Sequence, residues 1–237
     1  MKTKASLTRT LFPLLMMFIL ILAIAASAFA GKQDRPIGSF TEIEISSAFK
    51  VVLTQGNTEK LTLEADENIL DKIITEVRGN KLIIKLENNN IIRNTKEMTV
   101  YLTFKELSKI SLSGAVNLSG TNAMKFNDLD IDGSGSSKID LDLTTKKLKL
   151  DLSGASTIVL KGTGTSLAAD FSGASSLKAE DFKVKSCAID CSGASSIIVN
   201  ASEKLRVEGS GASKIKYTGN PAIVETDLSG ASKISKI

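Results

Sequence analysis

The side chains able to do chemistry in this 237-residue chain form a repeating row rather than a cluster. Asp132, Asp151, Asp170, Asp190, Glu208 and Asp227 each stand two residues before the serine of a Ser-Gly pair. Stacked in strands, such carboxylates would lie about 4.8 Å apart, close enough to repel unless solvated, interleaved with bases or bridged by cations. Calcium is the ion such a row would take, and a solvated acidic stripe is the plainer expectation. Lys149 and Arg206, two residues earlier in their units, would offset part of the repulsion. The corner serines are a poor choice of nucleophile, because catalysis needs one uniquely activated hydroxyl and not a repeated one. The chain contains no histidine, which removes Ser-His-Asp and Cys-His machinery and histidine-ligated metal sites together. No catalytic residue or required cofactor is therefore assigned.

The row belongs to a repeat. Asp151-Leu-Ser-Gly-Ala-Ser-Thr-Ile158 returns, with small changes, around Gly114, Gly135, Gly154, Gly173, Gly193, Gly211 and Gly230, at steps of 18 to 21 residues. Self-similarity at that period without a helical pattern inside it indicates a solenoid. Before each corner the apolar residues alternate, as in Leu148, Leu150 and Leu152, and a second short alternating run follows, as in Ile158 and Leu160. Two half-buried strands and roughly seven linking residues would make one coil. The corner glycine supplies a positive φ, its alanine is small enough to sit inside the bend, and the serines can bond turn backbone or stack between coils.

Cys187 and Cys191 fall on inward positions of a single strand. Four extended residues span about 13 Å, well beyond the ~7 Å that a disulfide bridges. Two buried free thiols are expected.

Residues 1–30 read as a signal peptide: Lys2, Lys4 and Arg9, an apolar core over 11–26, then Ala28-Phe29-Ala30 as a cleavage site. Without those three bases the formal charge falls from +4 to +1, which gives nucleic acid no electrostatic foothold. Residues 31–237 then form a single domain, with seven regular coils over 111–237 and an irregular capping section over 31–110. Within the cap, 45–53 aligns with 152–160 and carries Ser47 where the repeat has glycine. Strand-like runs cover 60–64, 73–77, 81–86 and 98–103, with a helical turn over 66–72, a hairpin turn at 78–80 and an Asn-rich loop over 87–94. The last corner lies close to Ile237, so an open coil edge, and with it homo-oligomerisation, is expected there.

Phe40-Thr-Glu-Ile-Glu-Ile-Ser-Ser-Ala-Phe-Lys-Val-Val-Leu-Thr-Gln-Gly56, then Leu61-Thr-Leu-Glu-Ala-Asp66, then the Ser-Gly-Ala-Ser corners, resemble the auto-transporter adhesin head (GIN) domain family over essentially all of 31–237. The resemblance implies an all-β fold, a right-handed parallel β-helix of about 20 residues per coil. It also implies a secreted or cell-envelope bacterial protein, in the periplasm, on the outer membrane or outside the cell. A non-enzymatic surface binding module for a glycan or protein is the first expectation. A self-associating structural element of the envelope is the second, and a polysaccharide-lyase-like enzyme, by analogy of fold alone, the third.

Overall fold

The computed structural model describes residues 30–87 and 97–237. The stretch expected to be a signal peptide, apart from Ala30, and all but the first residue of the expected Asn-rich loop lie outside the described residues. Those described form a parallel β-solenoid of about seven turns of roughly 19 residues.

The irregular section comes first: β1 (Ala30–Arg35), β2 (Glu42–Ser47), β3 (Phe49–Gln55), β4 (Lys60–Asp66), α1 (Glu67–Leu70), β5 (Ile73–Arg78), β6 (Lys81–Leu86) and β7 (Met98–Phe104). All four strand-like runs of the cap are strands, and Asp66 holds the N-cap position of the single helical turn. Gly79 and Asn80 turn β5 into β6 as a two-residue hairpin, with Gly79 at φ +63°. β2 and β3 already run in the solenoid direction, parallel to the strands that follow. β1, β4 and β7 pair antiparallel beyond them, while Ile69 and Leu70 of α1 are buried in the end of the core. Antiparallel strands and a helical turn thus plug one end of the solenoid, the device a repeat protein needs to stop edge growth.

The coils continue through β8 (Lys109–Gly114), β9 (Asn117–Gly120), β10 (Met124–Lys125), β11 (Asp128–Gly135), β12 (Lys138–Gly154), β13 (Thr157–Gly173), β14 (Ser176–Gly193), β15 (Ser196–Gly211), β16 (Lys214–Thr218), β17 (Ile223–Leu228) and β18 (Lys233–Lys236). All pair in parallel, and the corners stack without slippage: Gly135 on Gly154, Gly154 on Gly173, Gly173 on Gly193, Gly193 on Gly211. In β12 to β15 the linking residues are not loops, as the sequence suggests, but strand that bends while still pairing with the coils on either side. Burying backbone in a solenoid leaves its N–H and C=O groups no other partner.

Leu148, Leu150, Leu152, Ile158 and Leu160 are all buried, and their counterparts in neighbouring coils lie over them in one continuous core. Each such side chain contributes about 1.5–3 kcal/mol of burial. The corner departs from the sequence expectation in one respect. Ala155 is exposed, and Ser156 is the buried residue. Gly154 at φ +104° breaks the alternation of sides, so the next residue faces out and the one after it faces in. The inward row Val116, Ser137, Ser156, Ser175, Ser195, Ser213 is sealed from solvent. The Ser156 hydroxyl accepts the Ser137 N–H at 3.4 Å and the Ser175 hydroxyl donates to the Gly154 carbonyl at 3.5 Å, each across to an adjacent coil, while the Ser137 and Ser195 hydroxyls have no hydrogen-bond partner among the described residues. The ladder of serines expected from the sequence is therefore present, on the inside.

The thiols are as expected: Cys187 and Cys191 are buried and unbridged. Burial pushes the Cys187 thiol up to about 12 and also raises Cys191, against a lowering hydrogen bond from Ser213. An unfolded thiol ionises near 8.5. The raised folded value means that this contribution to stability is complete below that pH and is lost as pH climbs from about 8.5 toward 12. Iodoacetamide at pH 8 is expected to leave both cysteines unmodified in the native protein and to alkylate both in urea, read by intact mass. Rapid native labelling would refute the buried placement.

Candidate functional site: a carboxylate-lined groove

Alternation puts Leu150 and Leu152 in the core and turns Lys149 and Asp151 outward. Parallel pairing in register then makes columns of equivalent residues. The acidic column runs Asp132, Asp151, Asp170, Asp190, Glu208, Asp227, each paired with the next. All six residues singled out in the sequence are brought together. The column also extends through Ser111 to Glu44, a member not assigned from the sequence, although the alignment of 45–53 with 152–160 places it there.

The column two residues earlier decides the electrostatics. It reads Glu42, Lys109, Asp130, Lys149, Ala168, Ala188, Arg206, Glu225. Charges alternate along it except where two alanines interrupt. Lys109 bridges to Asp132 and Arg206 to Glu208, and the Asp132 carboxylate holds the Lys109 ammonium above its usual range. Between these pairs, Asp151, Asp170 and Asp190 face solvent with no ion pair among the described residues. Asp170 is held above the usual carboxylate range, first by burial and then by the flanking Asp190 and Asp151, with Lys149 opposing.

Missing side chains at Ala168 and Ala188 leave a hollow of about 240 Å³ walled by Lys149, Asp170, Asp190, Arg206 and Glu208. A second hollow of about 510 Å³ runs on from it past Lys149 and Asp151 to Asp132, Lys109 and Glu44. Lys149 lines both, so the two hollows lie side by side along one grooved face. Among the described residues no three Asp, Glu or Cys side chains converge to hold a metal ion; the carboxylates form a row and not a cage. Stacked carboxylates at fixed spacing, with cations at intervals, can accept hydrogen bonds from hydroxyls and ammonium groups of an extended ligand.

A raised carboxylate has a definite sign. With the folded value of Asp170 above the unfolded one, ionisation costs the fold stability at neutral pH, and that cost shrinks as pH falls through the folded value and is gone below the unfolded one. Asp170→Asn is expected to raise the urea midpoint at pH 7 slightly, by less than about 1 kcal/mol at so open a site. The gain should vanish near pH 3. Destabilisation at pH 7 would contradict the repulsion.

A family described as "Putative auto-transporter adhesin, head GIN domain" matches residues 39–221. The crystal structure of a "putative adhesin" from Bacteroides fragilis NCTC 9343 is 26% identical, with a TM-score of 0.82 over 89% of this chain and 98% of that one. A "putative adhesin" from Parabacteroides merdae ATCC 43184 is 18% identical, with a TM-score of 0.65 over 89% and 97%. A "putative lipid binding protein" from Parabacteroides distasonis ATCC 8503 is 20% identical, with a TM-score of 0.63 over 89% and 98%. The latter two share the fold. No curated protein matches the chain. The family match spans most of the chain, and the corners within it stack coil upon coil; this protein belongs to the auto-transporter adhesin head GIN domain family.

Proposed function

We propose that the chain is an exported, non-enzymatic binding module of the bacterial cell envelope, and that it holds its ligand along the carboxylate-lined groove. The observation that carries this reading is the adjacency of the two hollows, which share Lys149 along one face and so suit a long ligand crossing several coils. The family and its Bacteroides fragilis relative carry the name adhesin, and the N-terminal residues read as an export signal. A repeated surface with no histidine offers many equivalent contacts and no unique acid–base pair. The ligand chemistry that fits is an extended chain rich in hydroxyl and amino groups, as on a surface glycan or a basic protein segment.

The test is an array of glycans and matrix proteins probed with the wild-type chain and with Asp170→Lys/Asp190→Lys. The expected result is a hit whose affinity falls tenfold or more in the variant, since like charges now meet the ligand's amines. Equal binding by both proteins would remove the groove from the reading. Release of unsaturated oligosaccharides from any arrayed polysaccharide would favour a lyase instead. Binding confined to lipid vesicles would favour the activity named for the Parabacteroides distasonis relative.

A further inference from the structure

The two ends of the solenoid differ. At the N-terminal end, α1 and the antiparallel strands close the core. At the other end, the last coil pairs only backward, β17 with β15 and β18 with β16, and the outer edge of each strand has no strand partner among the described residues. Its inward side chains are uncovered. Leu205 is fully buried, whereas Val224, stacked over it, is 44% exposed; Ile215 is fully buried, whereas Ile234 is only partly so. Ile223 and Ile237 add apolar surface at 49% and 58% exposure. Free strand edges beside an uncovered apolar rung form a template for further pairing.

The charges on this end say what pairs with it. Glu225 and Asp227 face outward from β17, while Lys233 faces outward from β18, backed by Lys214 and Lys216 of the preceding coil. Two copies meeting end to end about a two-fold axis bring their edge strands together antiparallel, because the flip reverses the direction of each coil. Pairing β17 with β17 would set Glu225 and Asp227 against themselves. Pairing β17 of one copy with β18 of the other sets those carboxylates against Lys233, twice over. Opposite charges across antiparallel strands stabilise and like charges destabilise. A head-to-tail stack is disfavoured, since at the plugged end α1 already covers the core and leaves no matching apolar rung among the described residues, so the contact closes as an isologous dimer.

We propose that the last coil is a dimerisation surface, occupied by the same coil of a second copy with β17 crossed onto β18. The contact is independent of what the groove holds. Charge reversal tests it without threatening the fold: Asp227 already neighbours Glu208, and Lys233 neighbours Lys214, so each reversal relieves a like-charge contact inside its own chain.

The experiment is sedimentation of the protein, purified as the cell processes it, alongside Asp227→Lys, Lys233→Asp and the double variant. A wild-type dimer is expected. Each single reversal should weaken it roughly tenfold or more, acting twice across the axis, and the double variant should recover it. Mixing the two single variants should give a heterodimer, because each then supplies the charge that the other lacks. A wild-type monomer at 100 µM or so, a long polymer, or a dimer indifferent to all three changes would overturn the proposal. A monomer would also mean that another segment of the chain, or a different partner, covers this rung.

Discussion

Gly154→Ala is expected to cost the fold about 3 kcal/mol or more, seen as a large drop in the urea midpoint. Gly154 sits at φ +104°, where an L side chain is strained by about 1–2 kcal/mol. An added Cβ would also lie 2.3 Å from the Gly135 carbonyl oxygen, in the coil beneath. That oxygen cannot retreat, because it accepts the Ala155 N–H at 2.9 Å. The same collision recurs up the column, at 2.5 Å for Gly173 and 2.4 Å for Gly193. Two other glycines separate the causes. Gly79 has φ +63° with nothing near its missing Cβ, so Gly79→Ala should show the strain alone, about 1 kcal/mol. Gly38 has ordinary φ and open space, so Gly38→Ala should be near neutral. If all three variants melted alike, close stacking of the corners would be wrong.

Ser47 tests the same argument from the other side. It occupies the corner position of the first coil, paired with Gly114, and it is the one non-glycine residue with positive φ among those described, at 94°. Its neighbour toward the cap, β6, pairs with β2 only as far as Ile45. Among the described residues no corner of a preceding coil pairs with Ser47, so the backbone strain is the effect tested there. Ser47→Gly is expected to stabilise by up to about 1 kcal/mol, a rise in midpoint opposite in sign to the effect at Gly154.

These corners were legible in the sequence because the geometry tolerates one residue type and repeats at a fixed spacing, so even the Ser47 substitution could be aligned. The acidic column was legible for the same reason, since in-register stacking follows from the repeat once strands are assigned. Other features depend on which coil lies beside which. β1 pairs with β4 across the 24 residues that separate them, and nothing local in Gly31-Lys-Gln-Asp-Arg35 announces a partner. The hollow at Ala168 and Ala188 arises because two unremarkable alanines are stacked between Lys149 and Arg206. The reversed sides of Ala155 and Ser156 follow from a backbone turn at Gly154, which strand alternation alone does not contain.

Phe182→Ala should be the most damaging change within the core, at about 3–5 kcal/mol. The ring is fully buried and its strand position pairs with Gly162. It extends over Gly164, where an added Cβ would meet its Cζ at 2.9 Å and the Val184 Cγ1 at 3.2 Å. The missing side chain in one coil is thus the space that holds the aromatic ring of the next. Gly164 has no positive φ, so Gly164→Ala acts through crowding alone and should cost about 1–2 kcal/mol. In the double variant the added methyl enters the volume that the ring has left, so the combined loss should fall short of the sum by about 1 kcal/mol or more. Because each coil touches only its neighbours, damage in the middle of the stack can also uncouple its halves. A fall in the denaturant slope together with the midpoint would report that uncoupling. Strict additivity of the two substitutions would show that the ring and the glycine do not share this space.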